Sequence, residues 1–358
     1  GSMLGSIRLP SGLNLGVIWR MSAAMDAMAL HNDAIVIDVT CPLAVEPKYL
    51  DWWREGGATA VAPTIMGMAG NARTGFAMIG AWHRYVRGRD DTLIVRQAAD
   101  IEQAKREGKL GLILHTQGTA LIEDELDLLD AYQAAGLRIV QLCYNRKNLV
   151  GDGAAERTDA GLSHFGVALI ERLNALKLIV DCAHTGHRTS MEATEVSTAP
   201  VIISHANALA VHDNRRNISD ELIRAVAATG GVIGTVGFPS FLTAEGQPSL
   251  DQFIDDIAYK TNMVGIDHVG IGIDYYLGQH PVEDDDKARA RYDRMVAEGH
   301  WRPSEYPAPP YIYPAGIETP RTLPRLTEGL VQRGFNESEI RKILGLNWLR
   351  VYDDIWGG

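Results

Sequence analysis

Eight short runs rich in valine and isoleucine recur along this chain, most of them separated by helical patterns. The runs lie at 35–39, 58–62, 110–115, 138–143, 178–182, 201–204, 231–236 and 268–273. Apolar runs this continuous suit strands of a parallel sheet that is covered on both faces. Helical periodicity is expected at 124–135, 166–176, 220–228 and 250–263, with two closing helices around 323–333 and 337–344. Asn336 stands where the last of these needs an N-cap. Eight strands alternating with helices predict a (β/α)₈ TIM barrel. The competing arrangement is an open, doubly wound sheet, but no glycine-rich phosphate fingerprint follows the first run. The expected organisation is one barrel domain over residues 4–358, with Gly1-Ser2-Met3 as the remnant of a tag. The stretch 280–314 is polar, then rich in proline and aromatics. It is too long for a connector and is expected to form a lid or an oligomer contact.

Hydrophobic residues make up 46% of the chain and charged residues 22%, enough apolar material for a large core. The formal charge is −11, from 34 basic and 45 acidic residues. That balance argues against a nucleic-acid partner, whose phosphates need a basic footprint. No apolar run is long enough to span a membrane, and the start lacks a signal-peptide pattern, so a cytoplasmic location is expected. The three cysteines, Cys41, Cys143 and Cys182, are scattered without metal-ligand spacing. Cys143 reads as a small core residue.

In a barrel, chemistry sits at the C-terminal ends of the strands. His31 and Asp33 form a His-x-Asp triplet but precede the first strand, so they belong at the opposite end and are rejected as ligands. Asp33 is expected to end or cap a helix. The informative strand ends carry His115 and Gln117, Asp181 through His184, Ser204-His205, and Asp274. Alternation along a strand puts His115 and Gln117 on one face, Cys182 and His184 on one face, and Asp38 with Thr40. His184, His205 and Asp274 at three strand ends form a plausible zinc-binding set. Taken singly, each histidine reads equally well as a hydrogen-bonded residue at the pocket rim.

These residues carry a resemblance to the membrane dipeptidase (renal dipeptidase) family, particularly its bacterial members. The resemblance is dense from Leu110 to Asp274. It runs through Tyr144-Asn145-Arg-Lys-Asn148-Leu-Val-Gly-Asp-Gly153, Asp181-Cys-Ala-His184, Ser204-His205-Ala-Asn207 and Arg216-Asn217-Ile-Ser-Asp220. It resumes in the closing segment from Ile340 to Arg350. It implies a barrel holding two zinc ions and hydrolysing small peptides. By that resemblance His184 and His205 match the histidines of the second zinc. Asp274 matches a ligand that also handles protons, and Arg216 matches the arginine that binds the substrate carboxylate.

Three ligands implied by the resemblance are missing. Thr40 and Pro42 stand where the first zinc takes histidine and aspartate, and Gln117 stands where a glutamate bridges both ions. Proline has no ligating group, threonine is a poor zinc ligand, and a neutral amide cannot offset the repulsion between two dications. Asp38, His115 and Cys41 are conceivable surrogates.

The expected function is therefore hydrolysis of a dipeptide or a small carboxylate-bearing amide, with one zinc ion or none. Asp274, possibly aided by His115, carries the chemistry, while Arg216, Tyr144, Asn145, Gln117 and Thr40 bind substrate. Two alternatives stay open: a metal-free enzyme of different chemistry on an amino-acid-like compound, and a non-catalytic binder. A homo-oligomer is also possible.

Overall fold

In the computed structural model, residues 26–67 and 69–357 are described. Among the described residues ten strands occur in chain order: β1 (Ile37–Cys41), β2 (Ala60–Met66), β3 (Thr92–Ile94), β4 (Leu110–Leu112), β5 (Leu114–Thr116), β6 (Leu137–Gln141), β7 (Ile179–Asp181), β8 (Val201–Ile202), β9 (Ile233–Thr235) and β10 (Val269–Ile271). Every ladder between them is parallel. β1 pairs with β2, and β2 pairs with β4 and then β5, which together act as one barrel strand interrupted at Ile113. The order continues through β6, β7 and β8. Ile203, just past β8, bridges Ile233, and β9 pairs with β10. The circuit closes where the Ile273 N–H, beyond β10, donates to Asp38 Oδ1 at 3.0 Å. This is the (β/α)₈ barrel that the alternating runs predict. β3, which pairs with β4 outside the circuit, was not expected.

The barrel interior is filled by Ile37, Val39, Ala60, Ile113, Ile139, Ile179 and Ile202 in one apolar cluster. The final helix, Asn347–Trp356, packs Trp348, Tyr352 and Ile355 against it. A Cβ at Gly270 would stand 2.5 Å from Trp348 Nε1, so only glycine lets that indole reach the strand and donate to Ile271 O.

Several expectations change in detail. The helix expected from 124 begins at Leu128, because 119–127 is taken up by turns. The last expected helix is a short α-helix, Glu337–Arg341, followed by a π-turn at Lys342–Leu346. Asn336 caps it as expected, in a reciprocal pair with Glu339. His31 lies in a helix, Ala27–Asp33, where its ring bonds Thr327 and Gly56 O. Asp33 ends that helix and pairs with Arg341.

The stretch 280–314 contains a helix that was not expected, Asp285–Ala297. After it, Trp301, Tyr306, Tyr311 and Tyr313 are buried against Phe238 and one another. Their packing turns the segment into a cover over the C-terminal end of the barrel. No helix of the described residues is long and apolar enough to cross a membrane.

Candidate active site

β1 carries an irregularity that decides what its end presents. Asp38 pairs with Val61 but Cys41 pairs with Pro63, so β1 holds one extra residue between them. An extra residue breaks the two-residue alternation. Asp38 and Thr40 therefore go to different partners, against the expected shared face. Asp38 accepts from Trp53 Nε1 at 2.9 Å, whereas Thr40 Oγ1 lies 3.2 Å from His205 Nδ1. Asp38 is spent on the scaffold. Cys41 donates its thiol to Asp38 O, and burial pushes that thiol well above its usual range, so it supplies no thiolate.

β7 ends at Asp181, and His184 follows in a left-handed conformation, φ 58°. This turns its ring onto Tyr144, with centroids 4.0 Å apart. His184 Nδ1 lies 2.8 Å from Asn145 Oδ1. The amide orientation is settled by Asn145 Nδ2, which donates to His300 O, an acceptor only. Asn145 Oδ1 must then accept, so His184 Nδ1 carries the proton and Nε2 keeps a lone pair. Burial, with the charge of Arg216 next, holds the ring well below its ordinary pKa and neutral.

His205 follows β8. Its Nδ1 is 2.7 Å from Ser204 Oγ, and its Nε2 is buried without a partner. Burial and then Arg216 keep this ring neutral too. The two imidazoles stand 4.8 Å apart, centroid to centroid.

Asp274 lies three residues beyond β10, also left-handed at φ 64°. It is half-buried at the cavity surface, and desolvation pushes its carboxyl up to about 8 against the opposing charge of Arg216. Arg216 is buried, with its backbone N–H held by Asn214 Oδ1. Its Nε donates to Tyr306 OH at 3.0 Å, and its Nη2 has no partner among the described residues. Gln117 Nε2 donates to Thr64 Oγ1 at 3.1 Å.

These residues do not share one chamber. A cavity of 210 Å³ beneath the cover is lined by Gln117, Tyr144, His184 and Asp274, with Pro42 at its edge. A second cleft, of 440 Å³, is lined by His184, Cys182 and Arg216. His184 is a wall of both. His115 lines neither; its Nε2 lies 3.1 Å from Asp181 Oδ2. Among the described residues, no three of His, Cys, Asp and Glu stand close enough to hold one metal ion.

Sequence reasoning assigned no role to two groups here. Asp181 is a carboxylate inside an apolar strand, a signal that was available. Trp301 and Tyr306 reach the site from the cover: Trp301 Nε1 donates to Tyr144 OH at 3.1 Å, and Asn145 Nδ2 donates to Tyr306 OH at 3.1 Å. A separation of about 160 residues hid those contacts.

The sequence profile described as membrane dipeptidase, peptidase family M19, matches residues 58–300. A crystal structure of an amidohydrolase from Pseudomonas aeruginosa is 34% identical, with a TM-score of 0.84, over 93% of this chain and 100% of that one. A protein encoded in the pqqA 5′ region of Klebsiella pneumoniae is 29% identical over 269 residues, 72% of this chain and 87% of that one. A metallo peptidase from Rhodobacter sphaeroides, solved with a phosphinate mimic of the dipeptide L-Ala-D-Ala, is similar in fold. It has a TM-score of 0.74 at 20% identity, covering 90% of this chain and 100% of that one. With its barrel and its match to that profile over most of its length, the chain belongs to the membrane dipeptidase family of peptide-bond hydrolases, peptidase family M19.

Proposed function

We propose that this protein hydrolyses a dipeptide or another small amide bearing a free carboxylate, using one divalent ion at most. The observation that carries the reading is the pair of neutral imidazoles. His184 offers a lone pair at Nε2 because Asn145 fixes its tautomer, and His205 Nε2 is buried without a partner. Such a pair, with its other nitrogens held by neighbouring groups, suits one ion of the zinc type. The positions for a second ion do not fit, because Thr40, Pro42 and Gln117 supply neither charge nor a strong donor. An ion on His184 and His205 would polarise the scissile carbonyl and lower the pKa of bound water.

The chain's own residues do the rest. Arg216 Nη2, unpartnered and buried, takes the substrate carboxylate, and Tyr306 holds the guanidinium from its Nε side. The substrate lies along His184 and spans both cavities, with its scissile amide toward Asp274. A carboxyl that titrates near neutrality can accept a proton from the attacking water and return it to the leaving nitrogen. Asp274 is suited to that exchange. Tyr144 and Gln117 bound the reacting end of the cavity. His115 acts at one remove, through Asp181.

One observation favours a second, metal-free reading: the positive charge of Arg216 acts on both histidines and opposes a cation between them. A panel of dipeptides of both chiralities, assayed with and without zinc, manganese and cobalt, separates the two. Turnover that depends on added metal supports the first reading, and turnover indifferent to chelator supports the second.

A further inference from the structure

We propose that the cover contributes a second anion-binding position, Arg294, so that the preferred substrate is an amide carrying two acidic groups. This rests on the hydrolase reading above. Arg291 and Arg294 both line the cavity that holds Gln117, His184 and Asp274. They stand three residues apart on the helix Asp285–Ala297, which puts them on one face. Their partners differ. Arg291 is satisfied by Glu283 in a two-point contact, Nε to Oε2 at 3.0 Å and Nη2 to Oε1 at 2.7 Å. The Arg294 guanidinium makes no ion pair or hydrogen bond among the described residues. Arg294 is exposed, so its charge is open to a ligand that enters the cavity beneath the cover.

The rest of the cavity says what the ligand between the two arginines must look like. Asp274 is the one carboxyl group among the residues that line it, set against two arginines. Tyr276, Trp301, Tyr306 and Phe238 form aromatic walls between floor and cover. The 210 Å³ cavity takes only the Arg294 end of such a ligand, whose other end reaches Arg216 in the adjoining cleft past His184. A ligand matching these features has one carboxylate for Arg216, a short apolar body, and a second carboxylate for Arg294. A dipeptide ending in glutamate or aspartate has that form. A guanidinium is suited to the second carboxylate because its planar fork accepts two-point contacts.

The competing explanation is local. Arg294 sits in the last turn of its helix, where a cation is favoured by the helix dipole. That role predicts an effect on stability and none on substrate choice.

The test compares Ala-Glu with Ala-Gln, and Ala-Asp with Ala-Asn, by kcat/KM in the wild type, R294A, R294K and R294E. The wild type should prefer the acidic member of each pair by about tenfold or more. R294A should bring the ratio close to one, R294K should retain part of it, and R294E should invert it. In parallel, glutarate and butyrate are compared for thermal protection of the purified protein. Glutarate should protect the wild type more than butyrate does, and R294A should lose that difference. Equal handling of acidic and neutral members by the wild type, or a ratio that R294A leaves intact, overturns the proposal. If no dipeptide is cleaved but glutarate still protects in an Arg294-dependent way, the hydrolase reading fails while the anion position stands. If glutarate protects no more than butyrate and no dipeptide is cleaved, both fail.

Discussion

Asp181 Oδ1 accepts the backbone N–H of Ser204 at 2.9 Å, and the same oxygen accepts that of Ala183 at 3.0 Å. These amides immediately precede His205 and His184. One buried carboxylate thus fixes the backbone of both histidine turns, and its other oxygen meets His115 Nε2. Burial works to raise the Asp181 carboxyl, but its hydrogen bonds, that from His115 foremost, bring it below its ordinary value. A carboxyl depressed in the folded state contributes stability above its unfolded pKa and loses it as pH falls through the folded pKa. Asp181→Asn should therefore flatten the stability curve on the acid side of about pH 4. Asp181→Ala, which strands two amides and His115, should cost about 3 kcal/mol or more in urea unfolding. A wild-type-like acid limb in Asp181→Asn would contradict this role.

A second buried carboxylate supports the His205 loop from the other side. Asp256 accepts the Ala208 N–H at 2.7 Å and pairs with Lys260 at 2.6 Å, while Lys260 donates to Ala206 O at 3.2 Å. Lys260→Met leaves the Asp256 charge unpaired in the core and should lower stability by about 3–5 kcal/mol. Lys260→Met with Asp256→Leu should recover part of that loss. A single variant within about 0.5 kcal/mol of wild type would show that the pair is not what holds the loop.

Asn145 determines which nitrogen of His184 is available. Asn145→Ala removes the acceptor at Nδ1 and should weaken zinc binding by about 10–100-fold, the usual penalty for losing such a partner. Competition against a chelating dye measures it. Undiminished affinity would mean that His184 does not bind through Nε2.

Arg216→Lys should raise KM for carboxylate-bearing substrates by about tenfold or more, because an ammonium cannot bond Tyr306 and a carboxylate in the same fork geometry. Tyr306→Phe should raise KM by a smaller factor, since it loosens Arg216 without removing it. Melting temperatures discriminate: a fall in stability that parallels the loss of binding in Arg216→Lys would assign the arginine a structural role.

The barrel was legible because its strands are apolar on both faces, and 201–204 or 231–236 can hardly be read otherwise. β3, only Thr92–Ile94, follows a charged stretch and lies outside the barrel circuit, so it leaves little signal. The strand ends His184, His205 and Asp274 were legible as positions. How they are presented was not, because two of them adopt left-handed backbone, which alternation does not foresee. The extra residue in β1 redirected Asp38 for a similar reason. The helix Asp285–Ala297 is polar almost all round, so periodicity could not find it, and with it went Arg294.

The proposed function assigns this chain one divalent ion at most, on His184 and His205. Metal per chain, by elemental analysis of protein purified without chelator and then equilibrated with zinc, tests it most directly. No more than one tightly bound ion is expected, lost in His184→Ala and in His205→Ala. Two tightly bound ions per chain would contradict it.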